Sequence, residues 1–183
     1  MQLNITTGRI DQATWCESPN QDDRDWGAEP ECIIVHCISL PPGEYGGGVV
    51  QRFFANQLAA HEHPYYQSMA HLKVSSHFLI ERNGELSQFV GTHKRAWHAG
   101  DSVCLGRPKV NDFSIGIELE GWDLDEDGFT AFQYAALRDL VNALKAAYPK
   151  IGDTNLFAHS DIAPGRKPDP GAYFDWNELF ISP

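Results

Sequence analysis

Three segments of the chain carry side chains suited to hydrolytic chemistry. His36 stands near the end of the apolar run Cys32-Ile33-Ile34-Val35-His36-Cys37-Ile38, just before Pro41-Pro42-Gly43 and Gly46-Gly47-Gly48. A glycine-rich loop after such a run lets backbone approach a ligand closely. Glu118 sits in Ser114-Ile115-Gly116-Ile117-Glu118-Leu119-Glu120, where strand alternation turns it away from its apolar neighbours. His159 closes a third short run, and the loop after it holds Arg166, Lys167 and Asp169. Two histidines and a carboxylate with one open position are the composition of a catalytic zinc site. That donor set suits Zn²⁺ better than Mg²⁺ or Cu(I). The chain has no H-E-x-x-H, C-x-x-C or EF-hand pattern. A metal site must therefore be assembled from separate strands and loops, and on spacing alone each histidine is more often a satisfied structural residue than a ligand.

The elements that would position these residues follow from periodicity. Cys32–Ile38 reads as a buried strand, and Val49–Leu58 as a helix with Val50, Phe53, Phe54 and Leu58 on one face. Ser76–Glu81 and Glu85–Val90 read as strands flanking Arg82-Asn83-Gly84, a strong hairpin signal. Phe113–Gly121 reads as a further strand. The longest helix opens at Asp127–Thr130, runs on a stripe of Phe132, Ala136, Leu137, Leu140, Leu144 and Tyr148, and stops at Pro149. Leu156–His159 is a short strand, Ile162–Ala172 a proline-rich loop, and Trp176–Ile181 a short helix. Strands alternating with helices imply an α/β fold: one domain, a central mixed β-sheet flanked by helices, and a zinc site at one edge of the sheet. Residues 1–30 read as an N-terminal arm packed on a catalytic domain of residues 31–183.

Composition restricts the partners. The 183 residues carry a formal net charge of −11, which repels nucleic acid and anionic membrane. An acidic substrate would need local cations, for which Lys73, Arg107 and Lys109 are the candidates. Met1–Trp15 contains no continuous apolar core of an export signal. Cys16, Cys32, Cys37 and Cys104 form no metal-binding pair and read as reduced thiols. The expectation is a cytoplasmic monomer. His61, His63, His71, His77 and His93 read as structural.

Four stretches carry a more specific signal: HCISLPPG (36–43), AWHAG (96–100), NDFSIGIELEG (111–121) and AHSDIAPGRKPDPG (158–171). In this order, over about residues 30 to 177, the chain resembles the N-acetylmuramoyl-L-alanine amidase type 2 family. The likeness is greatest to its cytosolic members acting on 1,6-anhydro-muropeptides. The resemblance implies a zinc enzyme with ligands His36, His159 and Asp169, catalytic acid Glu118 and catalytic lysine Lys167. It also implies a role in peptidoglycan recycling that restrains β-lactamase induction. Trp97 and His98 fall in a matching segment and become candidate substrate-wall residues beside Lys73, Arg107 and Lys109. The chain departs from the family at Cys37, where relatives often have Asn, and at Lys73 and Lys109, where some carry arginine. Lysine keeps the charge but lacks the bidentate fork. A non-catalytic wall-binding module and a wall-lytic amidase are the competing expectations on the same fold.

Overall fold

The computed structural model describes residues 1–25 and 27–180. Ile181, to which the sequence extends the last helix, lies outside them. The chain begins with a two-stranded ribbon, β1 (Leu3–Asn4) and β2 (Arg9–Ile10), followed by the short strands β3 (Thr14–Trp15) and β4 (Gln21–Asp23). Then come β5 (Cys32–Ile38), α1 (Val49–Phe54), α2 (Tyr66–Met69), β6 (Phe78–Ile80), β7 (Leu86–Gln88) and β8 (Lys94–Ala96). A small hairpin, β9 (Val103–Cys104) and β10 (Arg107–Pro108), leads through a 3₁₀ turn at Val110–Asp112 to β11 (Ser114–Glu120). The last elements are α3 (Ala131–Ala147), β12 (Leu156–Ala158), α4 (His159–Ile162) and a 3₁₀ turn at Trp176–Leu179.

Six strands form the central sheet in the order β12-β5-β11-β6-β7-β3. β12, β5, β11 and β6 run parallel, β7 is antiparallel to β6, and β3 is parallel to β7. The sheet is therefore mixed. The β6–β7 pair is the hairpin turned by Asn83-Gly84, with Phe78 opposite Gln88 and Ile80 opposite Leu86. Strand alternation divides the parallel strands into two faces. Ile33, Val35, Ile115, Ile117 and Leu119 pack with Leu137, Leu140 and Leu144 of α3. Full burial of each such side chain is worth about 1.5–3 kcal/mol. Ile34, Phe113, Ala99 and Ile162 form a cluster on the opposite face. A third cluster joins α1, through Val50, Phe53 and Phe54, to Leu79, Phe89 and Val90.

Helix α3 begins just after the stretch Asp127–Thr130 with which the sequence opens it. Thr130 Oγ1 accepts from Gln133 N–H, and the Gln133 side chain accepts from Thr130 N–H, a reciprocal capping box. Phe132 departs from the expected stripe and is 69% exposed. It lies five residues from Leu137, a rotation of about 140° on an α-helix, so it faces outward. Helix α1 ends sooner than its periodicity suggests, at Phe54, because Asn56 adopts a left-handed φ of 59°. Cys37 packs against the α3 core, on the face away from His36.

The N-terminal residues are held tightly. Strand β3 supplies one edge of the sheet and β4 pairs with β8. The buried Arg24 donates to four carbonyls: those of Thr92, Asn111, Asp112 and Ser114. Beside it, the fully buried His77 accepts at Nδ1 from Gly116 N–H (3.0 Å) and donates from Nε2 to the Lys94 carbonyl (3.1 Å). Burial, then the charge of Arg24, lowers the His77 pKa to about 3. An unfolded histidine titrates near 6.5, so between those values the unfolded chain binds the extra proton and folding stability falls as pH falls. Each such histidine contributes a slope of about 1.4 kcal/mol per pH unit. Urea unfolding of metal-free protein from pH 7 to 5 is expected to show this loss, and His77→Gln a slope shallower by about one proton. An equally steep slope in the variant would remove His77 from the acid response.

Candidate active site

The register of the parallel strands creates the site. Glu118 on β11 is paired directly with His36 on β5. Their side chains leave the same face, opposite the α3 core. The neighbouring edge strand β12 delivers His159 at the first residue of α4. The loop after α4 then folds back, and Ser160 N–H donates to the Asp169 carbonyl, which returns Asp169 to His159.

His36 Nδ1 and His159 Nδ1 stand 2.9 Å apart. Asp169 Oδ2 lies 3.1 Å from the first and 3.0 Å from the second. A tetrahedral ion with bonds of about 2.0–2.1 Å spaces its ligands about 3.3 Å apart, so this triangle is close to a tripod for a metal. The outer nitrogen of His159 donates to the Ala99 carbonyl at 3.2 Å, and that of His36 meets His98 at 2.9 Å. With both outer nitrogens engaged, the inward atoms are three lone-pair donors facing one point, an arrangement that a cation satisfies. The three residues could therefore hold a metal ion. Burial lowers the His36 pKa to about 4 against the pull of the Asp169 carboxylate. A neutral imidazole is the form that ligates. Burial opposes ionisation of Asp169, but contact with His159 and His36 outweighs it and holds the carboxyl well below the usual range.

A cleft of ≈ 360 Å³ opens over this triangle. Glu118, Lys167 and the three candidate ligands line one end. Leu40, Phe53, Tyr65, Met69, Leu72, Val74, Trp97 and Trp122 line its walls. Glu118 is 8% exposed, and its Oε2 has no hydrogen-bond partner among the described residues. Burial, then the Asp169 carboxylate, pushes its pKa well above the usual range, while Lys167 opposes the rise. The Lys167 side chain is exposed at the cleft mouth.

The candidate substrate-wall residues divide. Trp97 and His98 line the cleft, whereas Lys73, Arg107 and Lys109 do not. Arg107 instead pairs with Glu31 at 2.6 Å and lies over the Phe113 ring. Lys109 takes a left-handed φ of 58° at the start of the 3₁₀ turn, outside the cleft. Lys73 lies between two lining residues, Leu72 and Val74, with its own side chain outside the lining. His98 also has neighbours that a substrate wall does not require, namely His36 and Ser114.

Residues 26–172 match the family described as N-acetylmuramoyl-L-alanine amidase. The chain belongs to that amidase family. It is 44% identical over 179 residues to the 1,6-anhydro-N-acetylmuramyl-L-alanine amidase AmpD of Haemophilus influenzae, covering 98% of this chain and 96% of the relative. A crystal structure of a selenomethionine AmpD derivative superposes with a TM-score of 0.93 at 46% identity, covering 98% of both chains. The amidase AmiD of E. coli, solved in complex with the substrate anhydro-N-acetylmuramic acid-L-Ala-D-γ-Glu-L-Lys, gives a TM-score of 0.61 at 29% identity, over 86% of this chain and 59% of that one. Among the described residues, no helix is long and apolar enough to cross a membrane.

Sequence reasoning singled out neither Asn111 nor Ser114. Asn111 Oδ1 accepts from both His98 N–H and Ala99 N–H, at 3.2 and 2.8 Å. The Ser114 hydroxyl lies 3.1 Å from His98 Nε2. Both fall inside the segment NDFSIGIELEG, so the motif contained them, but nothing local assigned them a role.

Proposed function

We propose that this protein is a zinc-dependent amidase that hydrolyses the bond between 1,6-anhydro-N-acetylmuramic acid and L-alanine in soluble muropeptides, acting as a monomer in cytoplasmic peptidoglycan recycling. The observation that carries this reading is one cleft holding the His36–His159–Asp169 triangle, Glu118 in register with His36, and Lys167 at the mouth. Membership of the amidase family and the muropeptide bound to the AmiD relative support the substrate class. The catalytic domain in this reading is residues 31–183, with residues 1–30 as an arm across it.

His36, His159 and Asp169 would hold the zinc, which would supply a Lewis acid to polarise a carbonyl and to lower the pKa of water toward about 7. Glu118 takes a proton from the attacking water as its oxygen adds to the lactyl carbonyl carbon. Lys167 offers its ammonium to the carbonyl oxygen as charge develops there, a contact of the kind typically worth ~3–4 kcal/mol. When the carbon–nitrogen bond breaks, Glu118 returns the proton to the alanine nitrogen. The products are the muramic carboxylate and a peptide with a free amine. The apolar walls, with Trp97 and Trp122, offer broad surface to the sugar and lactyl groups.

A non-catalytic wall-binding module would have no use for a complete ligand triangle beside a buried carboxyl whose Oε2 has no partner among the described residues. A wall-lytic role fits the net charge of −11 poorly, since anionic wall polymer and an acidic surface repel within a Debye length of about 8 Å. Cleavage of soluble anhydro-muropeptide and of intact sacculi, compared at matched bond concentration by mass spectrometry, tests the assignment. Soluble fragments are expected to be cleaved much faster. Equal rates, or a preference for sacculi, would move the protein to the wall-lytic class.

A further inference from the structure

Both candidate metal-ligating histidines reach inward through Nδ1, and their outward nitrogens end on acceptors carried by adjacent residues. His159 Nε2 donates to the Ala99 carbonyl at 3.2 Å. His36 Nε2 lies 2.9 Å from His98 Nδ1, His98 Nε2 lies 3.1 Å from Ser114 Oγ, and that hydroxyl lies 2.6 Å from the Val110 carbonyl. A carbonyl oxygen can only accept, so proton positions can be read backward from it. Ser114 donates to Val110, and its oxygen accepts from His98 Nε2–H. His98 Nδ1 is then the bare nitrogen and accepts from His36 Nε2–H. The lone pair of His36 Nδ1 is left facing the triangle, as the Ala99 carbonyl leaves that of His159.

Two further observations show that this arrangement is built in. Residue 116 must be glycine for the His98 ring to lie across β11, because a Cβ there would come within 2.6 Å of His98 Cγ and 2.8 Å of His98 Nδ1. The segment carrying both acceptors is held by one side chain, since Asn111 Oδ1 takes the N–H groups of His98 and Ala99. Packing of the cleft wall alone would not call for either feature.

We propose that His98, with Ser114 behind it, is a positioning residue that presets His36 for coordination through Nδ1, and that Asn111 holds the acceptors for both histidines in one segment. The proposal rests on the zinc reading above. Outer partners of metal-bound histidines typically change metal affinity by about 10–100-fold. This makes His98 a support of the metal site rather than a contact to substrate.

The test uses the full-length protein and measures zinc affinity by competition with a chromophoric chelator, the visible spectrum after cobalt substitution, and the melting temperature of the metal-free form. His98→Leu keeps the bulk and removes the acceptor, and is expected to weaken zinc binding about 10–100-fold and to alter the cobalt spectrum. His98→Asn places an oxygen near the position of Nδ1 and is expected to recover most of both. Wild-type zinc affinity and cobalt spectrum in His98→Leu, with only KM raised, would make His98 a substrate wall and overturn the proposal. Equal weakening in the Leu and Asn variants would reduce it to packing and overturn it as well. Should His98→Leu fail to fold, Ser114→Ala removes a single oxygen. A partial loss of zinc affinity at an unchanged metal-free melting temperature supports the relay, and no loss overturns it. Full zinc retention in His159→Ala would instead refute the metal-site reading itself, whatever the His98 variants show.

Discussion

Asp169→Ala protein is expected to purify with little zinc and to lose hydrolysis of the muramoyl–alanine amide by at least about 10³-fold, the loss that follows when a Lewis acid worth several kcal/mol leaves the site. Asp169 is the one anionic donor of the triangle, and His36 and His159 are neutral when they ligate. Removing it leaves two imidazoles, too few for a three-ligand catalytic site. The side chain is also placed by its own backbone, through the bond from Ser160 N–H to the Asp169 carbonyl, so the alanine variant keeps the loop while losing the ligand. Elemental analysis of protein purified without chelator reads the metal, a mass-spectrometric assay reads the turnover, and circular dichroism confirms the fold. About one zinc per chain is expected for the unaltered protein. A folded Asp169→Ala protein that still held a full equivalent would remove Asp169 from the ligand set.

Glu118→Gln separates catalysis from metal binding. Glutamine has the shape of glutamate but cannot take a proton from water, so turnover is expected to fall by about 10²–10⁴-fold. Zinc content should stay at the wild-type level, because the candidate ligand triangle consists of His36, His159 and Asp169 and not Glu118. KM should change little, since the lost interaction is one made as the proton moves. The buried position also favours a clean result. The Glu118 Oε2 atom has no partner among the described residues, so the amide breaks no existing hydrogen bond at that atom. Near wild-type turnover in this variant would eliminate Glu118 as the base. A parallel loss of zinc would make it a support of the metal site instead.

Much of the architecture was legible from local pattern. The alternation in Ser114–Glu120 assigned Glu118 to the face opposite Ile117 and Leu119, and that is the face on which it stands. Asp127–Thr130 marked the start of the long helix, and Asn83-Gly84 marked the hairpin. These signals are local because cap and turn chemistry involve residues a few positions apart, and because strand periodicity gives each side chain its direction. The candidate ligand set was proposed by another route, through motifs that resemble a known family. Spacing alone left His36 and His159 as ordinary strand-end residues.

Tertiary structure decided the rest. Nothing in the local pattern pairs Glu118 with His36, because register between parallel strands 82 residues apart in the numbering (118 minus 36) depends on the core beneath them. Nor does it show that Arg107 is engaged by Glu31 and Phe113, or that Lys73 and Lys109 lie outside the cleft lining. A charged residue in a loop has no periodicity to reveal its direction. His98 is the clearest case. Its motif suggested a substrate wall, and it lines the cleft, while its ring nitrogens also lie against His36 and Ser114 across the space left by Gly116. The sequence by itself determined which faces the strands present and which residue types are available for the chemistry. Only the folded chain decided which of those residues meet, because each meeting depends on strand register, loop closure and the absence of a single Cβ, and these are set by packing between distant segments.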